Sequence, residues 1–131
     1  MKRMIPILLM MTLLLTGCAV PKPATEANTY RQITMQEAVE MMEKEENYII
    51  LDVRTHEEFA AGHIPGAIVI PTETIGTEEI PQLPDKDQLI MVYCRSGNRS
   101  KQASGKLAEL GYTNIVEFGG INSWPGEIVT D

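Results

Sequence analysis

An α/β domain built on a parallel sheet, with helices on both faces, is the fold class this sequence predicts. Two apolar runs of strand length, YIILDV at 48–53 and LIMVY at 89–93, are too continuous for strands with one wet face. Two Thr-x-x-Glu patterns, at Thr34–Glu37 and Thr55–Glu58, mark helix starts on either side of the first run. Strand and helix signals then alternate along the chain, as in βαβ units, which place helices on both sides of a parallel sheet.

At 131 residues the chain has room for one compact domain plus appendages. Its first 17 residues read as a lipoprotein signal peptide. Lys2 and Arg3 give a positive start, and the apolar run from Ile5 to Leu15 has about half the ~20 residues a membrane-spanning helix needs. LTGC at 15–18 closes the run and resembles the bacterial lipobox, in which cleavage precedes a cysteine that carries a diacylglyceryl group. Cys18 is therefore the expected lipidation site; a plain signal peptide cut nearby is the competing reading. Each buried acyl methylene contributes ~0.8 kcal/mol, enough for two chains to hold the protein stably on a membrane. Residues 18–30, with prolines at 21 and 23 and no apolar period, read as anchor cysteine and flexible linker. The domain is expected over 31–131, exported and lipid-anchored at the extracytoplasmic face of the cell envelope.

Within the domain, Arg31 to Ile33 has room for a short edge strand. Thr34 opens a helix in which Met35, Ala38, Val39 and Met42 share one face opposite Glu37, Glu40, Glu43 and Lys44. The strand at 48–53 follows, then a short helix from Thr55 that Gly62 can end. Ala67 to Ile70 reads as a second short strand, and Pro71 to Pro84 as an irregular crossing segment. After the buried strand at 89–93, Lys101 to Leu110 sets Ala103, Leu107 and Leu110 on one helix face and stops at Gly111; Ile115 to Phe118 is the last strand.

Without Lys2 and Arg3, nine basic residues face 18 acidic ones, a balance that argues against nucleic acid or an anionic membrane surface as the main partner. Once Cys18 is acylated, Cys94 is the remaining cysteine, so no intramolecular disulfide can form in a compartment that favours them. His56 and His63 lack the companions of a metal site. No metal and no cofactor is expected.

Cys94 stands where LIMVY ends, and ligands in open α/β sheets bind beyond the carboxyl ends of the strands. The sequence after it, RSGNRS, suits a tight loop that turns backbone N–H groups inward at the start of a helix. Gly97 permits a positive φ, and Asn98 is among the few other residues that tolerate one. An unperturbed thiol near pKa 8.5 is only about 3% thiolate at pH 7, whereas amides and guanidinium groups favour the ionised form. An inert cysteine closing a buried strand would not need this polar company, so a reactive Cys94 is favoured.

LDVRTHEEFAAGHIPGAIVIP at 51–71, VYCRSGNRS at 92–100 and GYTNIVEFGGINSW at 111–124 together resemble the single-domain rhodaneses, over Ile33 to Trp124. The resemblance implies a rhodanese-like fold with a five-stranded parallel sheet, and a Cys94 that accepts sulfane sulfur as a persulfide and passes it to a nucleophile. Thiosulfate is the usual donor and cyanide the usual acceptor in assays. Small anionic sulfur donors and thiophilic acceptors, including thiols or a partner protein, are thus the expected partners, with the membrane engaged only through the anchor. The loop residues Arg95, Ser96, Gly97, Asn98, Arg99 and Ser100 are the expected substrate-binding set, Arg95 meeting the anionic donor. Arg99 is expected to turn inward and brace the loop on Asp52. His63 reads as a structural hydrogen-bonding residue, His56 as surface, and Gly119, Gly120 and Trp124 as domain-closing structure. Phosphatases and arsenate reductases that share this fold place five residues between cysteine and arginine; here four separate Cys94 from Arg99, and Ser100 stands where the arginine would fall. A membrane-tethered binding module without turnover and a persulfide carrier are two further readings that the sequence leaves open.

We predict that Cys18→Ser releases the full-length protein from the membrane fraction without altering the domain's activity. A variant that still sediments with membranes contradicts the lipobox reading.

Overall fold

The computed structural model describes residues 29–130; the expected signal peptide, Cys18 and most of the linker lie outside them. Strand β1 (Arg31–Gln32) is followed by α1 (Met35–Lys44), β2 (Tyr48–Asp52), α2 (His56–Ala61) and β3 (Ile68–Val69). A 3-10 turn at Thr72–Thr74 leads into the crossing segment, then come β4 (Leu89–Cys94), α3 (Asn98–Glu109), β5 (Ile115–Gly120) and a second 3-10 turn at Ile121–Ser123. All five strands are parallel, in the order β1-β5-β4-β2-β3. No helix among the described residues is long and apolar enough to cross a membrane.

Strand β4 is central, and its residues from Ile90 to Cys94 are all buried because helices cover both of its faces. Alternation along the strands sorts the core into two layers. Leu51, Val53, Ile90, Val92, Cys94 and Ile115 pack under α3 through Ala103, Leu107 and Ala108. Ile50, Met91, Tyr93, Val116 and Phe118 pack on the other side under Ala38 of α1, with Met35, Met42, Phe59 and Trp124 around them. The crossing segment, for which the sequence shows no period, joins the α3 layer through buried Ile75, Ile80 and Leu83. Its backbone is tied down there by the Tyr112 hydroxyl, which donates to the Leu83 carbonyl at 2.6 Å.

Both predicted capping boxes form. Thr34 Oγ1 accepts the Glu37 N–H and Glu37 accepts the Thr34 N–H, each at 3.0 Å. Thr55 Oγ1 accepts the Glu58 N–H at 3.1 Å, and Glu58 accepts the Thr55 N–H at 3.3 Å. Each box satisfies two of the amides that a helix start leaves without partners.

The expected Asp52–Arg99 brace does not form. Asp52 follows Ile50 onto the α1/α2 face of the sheet, whereas Arg99 rises from α3 on the opposite face. Asp52 pairs instead with Arg54, two residues on and therefore on the same side: Nη2 lies 2.6 Å from Oδ2, Nε lies 3.0 Å from both oxygens, and the Arg54 N–H adds a bond of 2.9 Å. The pair is buried, and Arg54 Nη2 also donates to the Gly62 carbonyl at 2.7 Å, closing the end of α2. Burial, together with a hydrogen bond to Asp52, raises the Tyr93 hydroxyl well above the ordinary phenol range.

Arg99 finds Glu58, with a two-pronged contact at 2.7 and 3.0 Å. The same carboxylate caps α2, so one side chain couples that helix start to the first turn of α3. The Arg99 guanidinium holds Glu58 down at about 2, helped by the Thr55 N–H.

These two ion pairs can be tested separately. Arg54→Ala leaves Asp52 buried without its counter-charge, and should cost about 3–5 kcal/mol in urea unfolding; a loss below about 1 kcal/mol would contradict the described burial. Because the folded-state value of Glu58 lies below its unfolded value, the contribution of its pair with Arg99 is present above about pH 4.5 and is lost as pH falls towards 2. Stability measured over that window should fall more steeply for the wild type than for Glu58→Gln, and parallel curves would contradict the pairing.

Candidate active site

Cys94 is the last residue of β4 rather than the first beyond it, because pairing with β5 resumes at Cys94–Gly120 after a bulge between Val92 and Cys94. The loop that follows is short. Helix α3 starts at Asn98, three residues earlier than the apolar pattern suggests, since Asn98, Arg99 and Ser100 carry no apolar signal. Gly97 alone in this loop takes the left-handed conformation, with φ of 113°, and Asn98 is already helical.

Strand β5 holds the loop from the side. The Arg95 carbonyl lies directly over the α-carbon of Gly120, where any Cβ would collide with it, and accepts the Asn122 N–H at 3.2 Å. The Gly119-Gly120 pair, expected to close the domain, is thus a floor for the cysteine loop. That contact turns the amides towards sulfur: the Gly97 N–H donates to Cys94 Sγ at 3.0 Å.

Cys94 is 1% exposed, so a reactant reaches it only through the loop mouth. Burial pushes its thiol up, but the Ser100 hydroxyl and the backbone N–H groups of Ser100, Gly97 and Ser96 outweigh that and leave it below the ordinary thiol range. Arg99, although turned to Glu58, is close enough for its charge to be felt at Cys94. Arg95, Ser96 and Asn98 are exposed at the mouth, while Gly97 and Ser100 are buried beneath it.

His63 sits away from this chemistry. Its ring stacks on Phe59 at 3.7 Å, its Nδ1 lies 2.9 Å from the Phe59 carbonyl, and its backbone pairs in both directions with Val129. His56 is exposed on α2, and Trp124 packs under the α1 layer while donating to the Glu127 carbonyl at 3.0 Å. Among the described residues no three His, Cys, Asp or Glu side chains gather as a metal would require.

Glu117 belongs to the site, although it has no place among the roles expected from the motif at 111–124 that contains it. It is 2% exposed in the middle of β5, on the α3 side, where Oε2 accepts the Gly119 N–H at 2.8 Å and the Ser100 hydroxyl at 2.5 Å. The sequence carries a signal for it, an acidic residue inside the apolar strand IVEF, because a buried carboxylate persists only where donors are arranged around it. Glu117, Ser96, Gly97 and Lys101 line a groove of about 350 Å³ beside the loop.

A family profile described as the rhodanese-like domain matches residues 34–127. The chain is 38% identical over 71 residues to a thiosulfate sulfurtransferase, PspE, of Escherichia coli, covering 54% of this chain and 68% of that protein. It is 40% identical over 82 residues to a sulfurtransferase of Allochromatium vinosum, covering 60% and 73%. The crystal structure of a rhodanese-related protein from Thermoplasma volcanium superposes with a TM-score of 0.65 at 31% identity, covering 78% of this chain and all of that one. These relationships support sulfurtransferase activity in general terms, with a sulfur donor and a sulfur acceptor as substrates. The chain belongs to the rhodanese-like domain family.

Proposed function

We propose that this protein is a thiosulfate sulfurtransferase that works through a Cys94 persulfide. The observation that carries the reading is the bond from the Gly97 N–H to Cys94 Sγ, within a loop that lowers the thiol's pKa although the residue is buried. The Cys94 thiolate attacks the outer sulfur of thiosulfate, a bond forms between the two sulfurs, and sulfite leaves with the electron pair of the broken S–S bond. Amides of the Arg95–Ser100 loop that hold the thiolate then serve the terminal sulfur of the persulfide, so the negative charge stays solvated by the same fixed dipoles. A thiophilic acceptor, cyanide or a thiol, removes that sulfur and regenerates the thiolate.

Arg95, exposed at the loop mouth, meets the dianionic donor. Arg99 is a positioning residue: held by Glu58, it fixes the first turn of α3. With Cys18 acylated, the reaction takes place on the extracytoplasmic side of the cell envelope, beside the membrane that holds the anchor. The cradle is sized for one sulfur atom, which speaks against phosphate or arsenate as substrate.

Protein lacking residues 1–18 should gain the mass of one sulfur atom on incubation with thiosulfate and lose it on addition of cyanide. Cys94→Ser should do neither; an unmodified wild type, or an unchanged rate in Cys94→Ser, overturns the reading. In Arg95→Ala, kcat/KM for thiosulfate should fall roughly tenfold or more through KM, the scale of a lost charge-assisted hydrogen bond. An undiminished rate at low thiosulfate refutes the role of Arg95.

A further inference from the structure

Ser100 Oγ is a crossing point for more acceptors than it has protons. It lies 2.5 Å from Glu117 Oε2, 2.9 Å from the Gly97 carbonyl, 3.4 Å from the Gly119 carbonyl and 3.4 Å from Cys94 Sγ. A hydroxyl has one hydrogen to donate, so it cannot serve an ionised Glu117 and an ionised Cys94 together. Both ionisable groups are buried, at 2% and 1% exposure, where two anions sharing one hydroxyl repel each other with little water to screen them. The short contact to Glu117 is of the length found when a hydroxyl donates to a charged carboxylate.

We infer that Glu117 is the proton acceptor for Cys94, reached through the Ser100 hydroxyl. The inference rests on the reading of Cys94 as the nucleophile, and supplies what that reading lacks: a destination for the proton of a buried thiol. In the resting arrangement the thiol S–H donates to Ser100 Oγ, and the Ser100 O–H donates to the Glu117 carboxylate. Activation shifts both hydrogens one step along the chain. The Cys94 proton bonds to Ser100 Oγ as the Ser100 proton bonds to Glu117 Oε2, leaving a thiolate, a neutral hydroxyl that can turn its hydrogen back to sulfur, and a neutral carboxylic acid. No proton enters or leaves, and the single negative charge moves from carboxylate to sulfur. Glu117 contacts no substrate and is a positioning residue.

The groups around this chain favour such an exchange. From α3, Arg99 acts electrostatically on Cys94, and Lys101 shares the groove beside Glu117. Arg95 stands at the loop mouth. From β1, Arg31 is engaged with Asn114, and from β2, Asp52 is occupied by Arg54. The α1 residues in the groove, beginning with the Thr34 cap, are uncharged: Thr34 and Met35. Among the described residues the two other carboxylates near these groups are each held by an arginine, Asp52 by Arg54 and Glu58 by Arg99, which leaves Glu117 as the one joined to the Ser100 hydroxyl.

The test reads the proton and not sulfur transfer, so it can fail while persulfide still forms, and it can succeed when persulfide does not. The rate of Cys94 alkylation by iodoacetamide, followed against pH, should show two inflections in the wild type, as expected where one proton is shared between two interacting groups. Glu117→Gln should reduce the profile to one inflection, and Glu117→Asp should restore the second. A Glu117→Gln profile superimposable on the wild type overturns the inference. Should that variant not fold, the wild type suffices: the side-chain carboxyl carbon resonance of Glu117 should move over the pH range in which Cys94 ionises, and that movement should vanish once Cys94 is alkylated. A resonance indifferent to the state of Cys94 overturns the inference equally.

Discussion

The close approach of the Arg95 carbonyl to the bare α-carbon of Gly120 is the contact on which the site depends. It sets the end of β4 against the end of β5 without a side chain between them, and so fixes the end of the strand where Cys94 stands. From there the loop has three residues, Arg95 to Gly97, in which to reverse into α3. Only a left-handed Gly97 completes the turn, and the turn is what aims its N–H at sulfur. A side chain at position 120 would force the loop outward and withdraw the amides from sulfur.

The remaining architecture keeps that loop in place from below and from the side. Buried β4 supplies a rigid base, with helices on both faces. Arg99, clamped by Glu58, ties the first turn of α3 to the start of α2, so the motif at 51–71 and the loop at 94–100 form one mechanical unit. The buried Asp52–Arg54 pair does the same for the turn that leads from β2 into α2. The cations nearest the site are tethered or at its mouth, and the thiol is acidified by hydrogen bonds, first that of the Ser100 hydroxyl and then those of the Ser100, Gly97 and Ser96 N–H groups.

Much of this is legible in the sequence because it is local. The capping boxes at Thr34 and Thr55 and the continuous apolar runs of β2 and β4 declare themselves within a few residues. Partners distant in sequence are harder to read. Asp52 stands at the end of the strand beside β4 and so suggests itself as the partner of Arg99. Strand alternation nevertheless puts it on the face away from α3, and the nearby Arg54 offers a partner at the right spacing. Glu117 passes as part of an apolar strand, although a carboxylate there demands donors. The segment from Pro71 to Pro84 shows no period because it docks by single anchors, Ile75, Ile80 and Leu83, instead of by a repeating face. Asn98 needs no positive φ, since Gly97 has already made the turn.

The central claim is that the loop is a cradle for one sulfur atom. A crystal structure determined after brief exposure of the protein to thiosulfate tests it most directly. The account predicts a second sulfur bonded to Cys94 Sγ and lying within hydrogen-bonding distance of the backbone N–H groups of the Arg95–Ser100 loop. A tetrahedral anion seated in the loop with Cys94 unmodified, or a second sulfur pointing away from those amides, would contradict it.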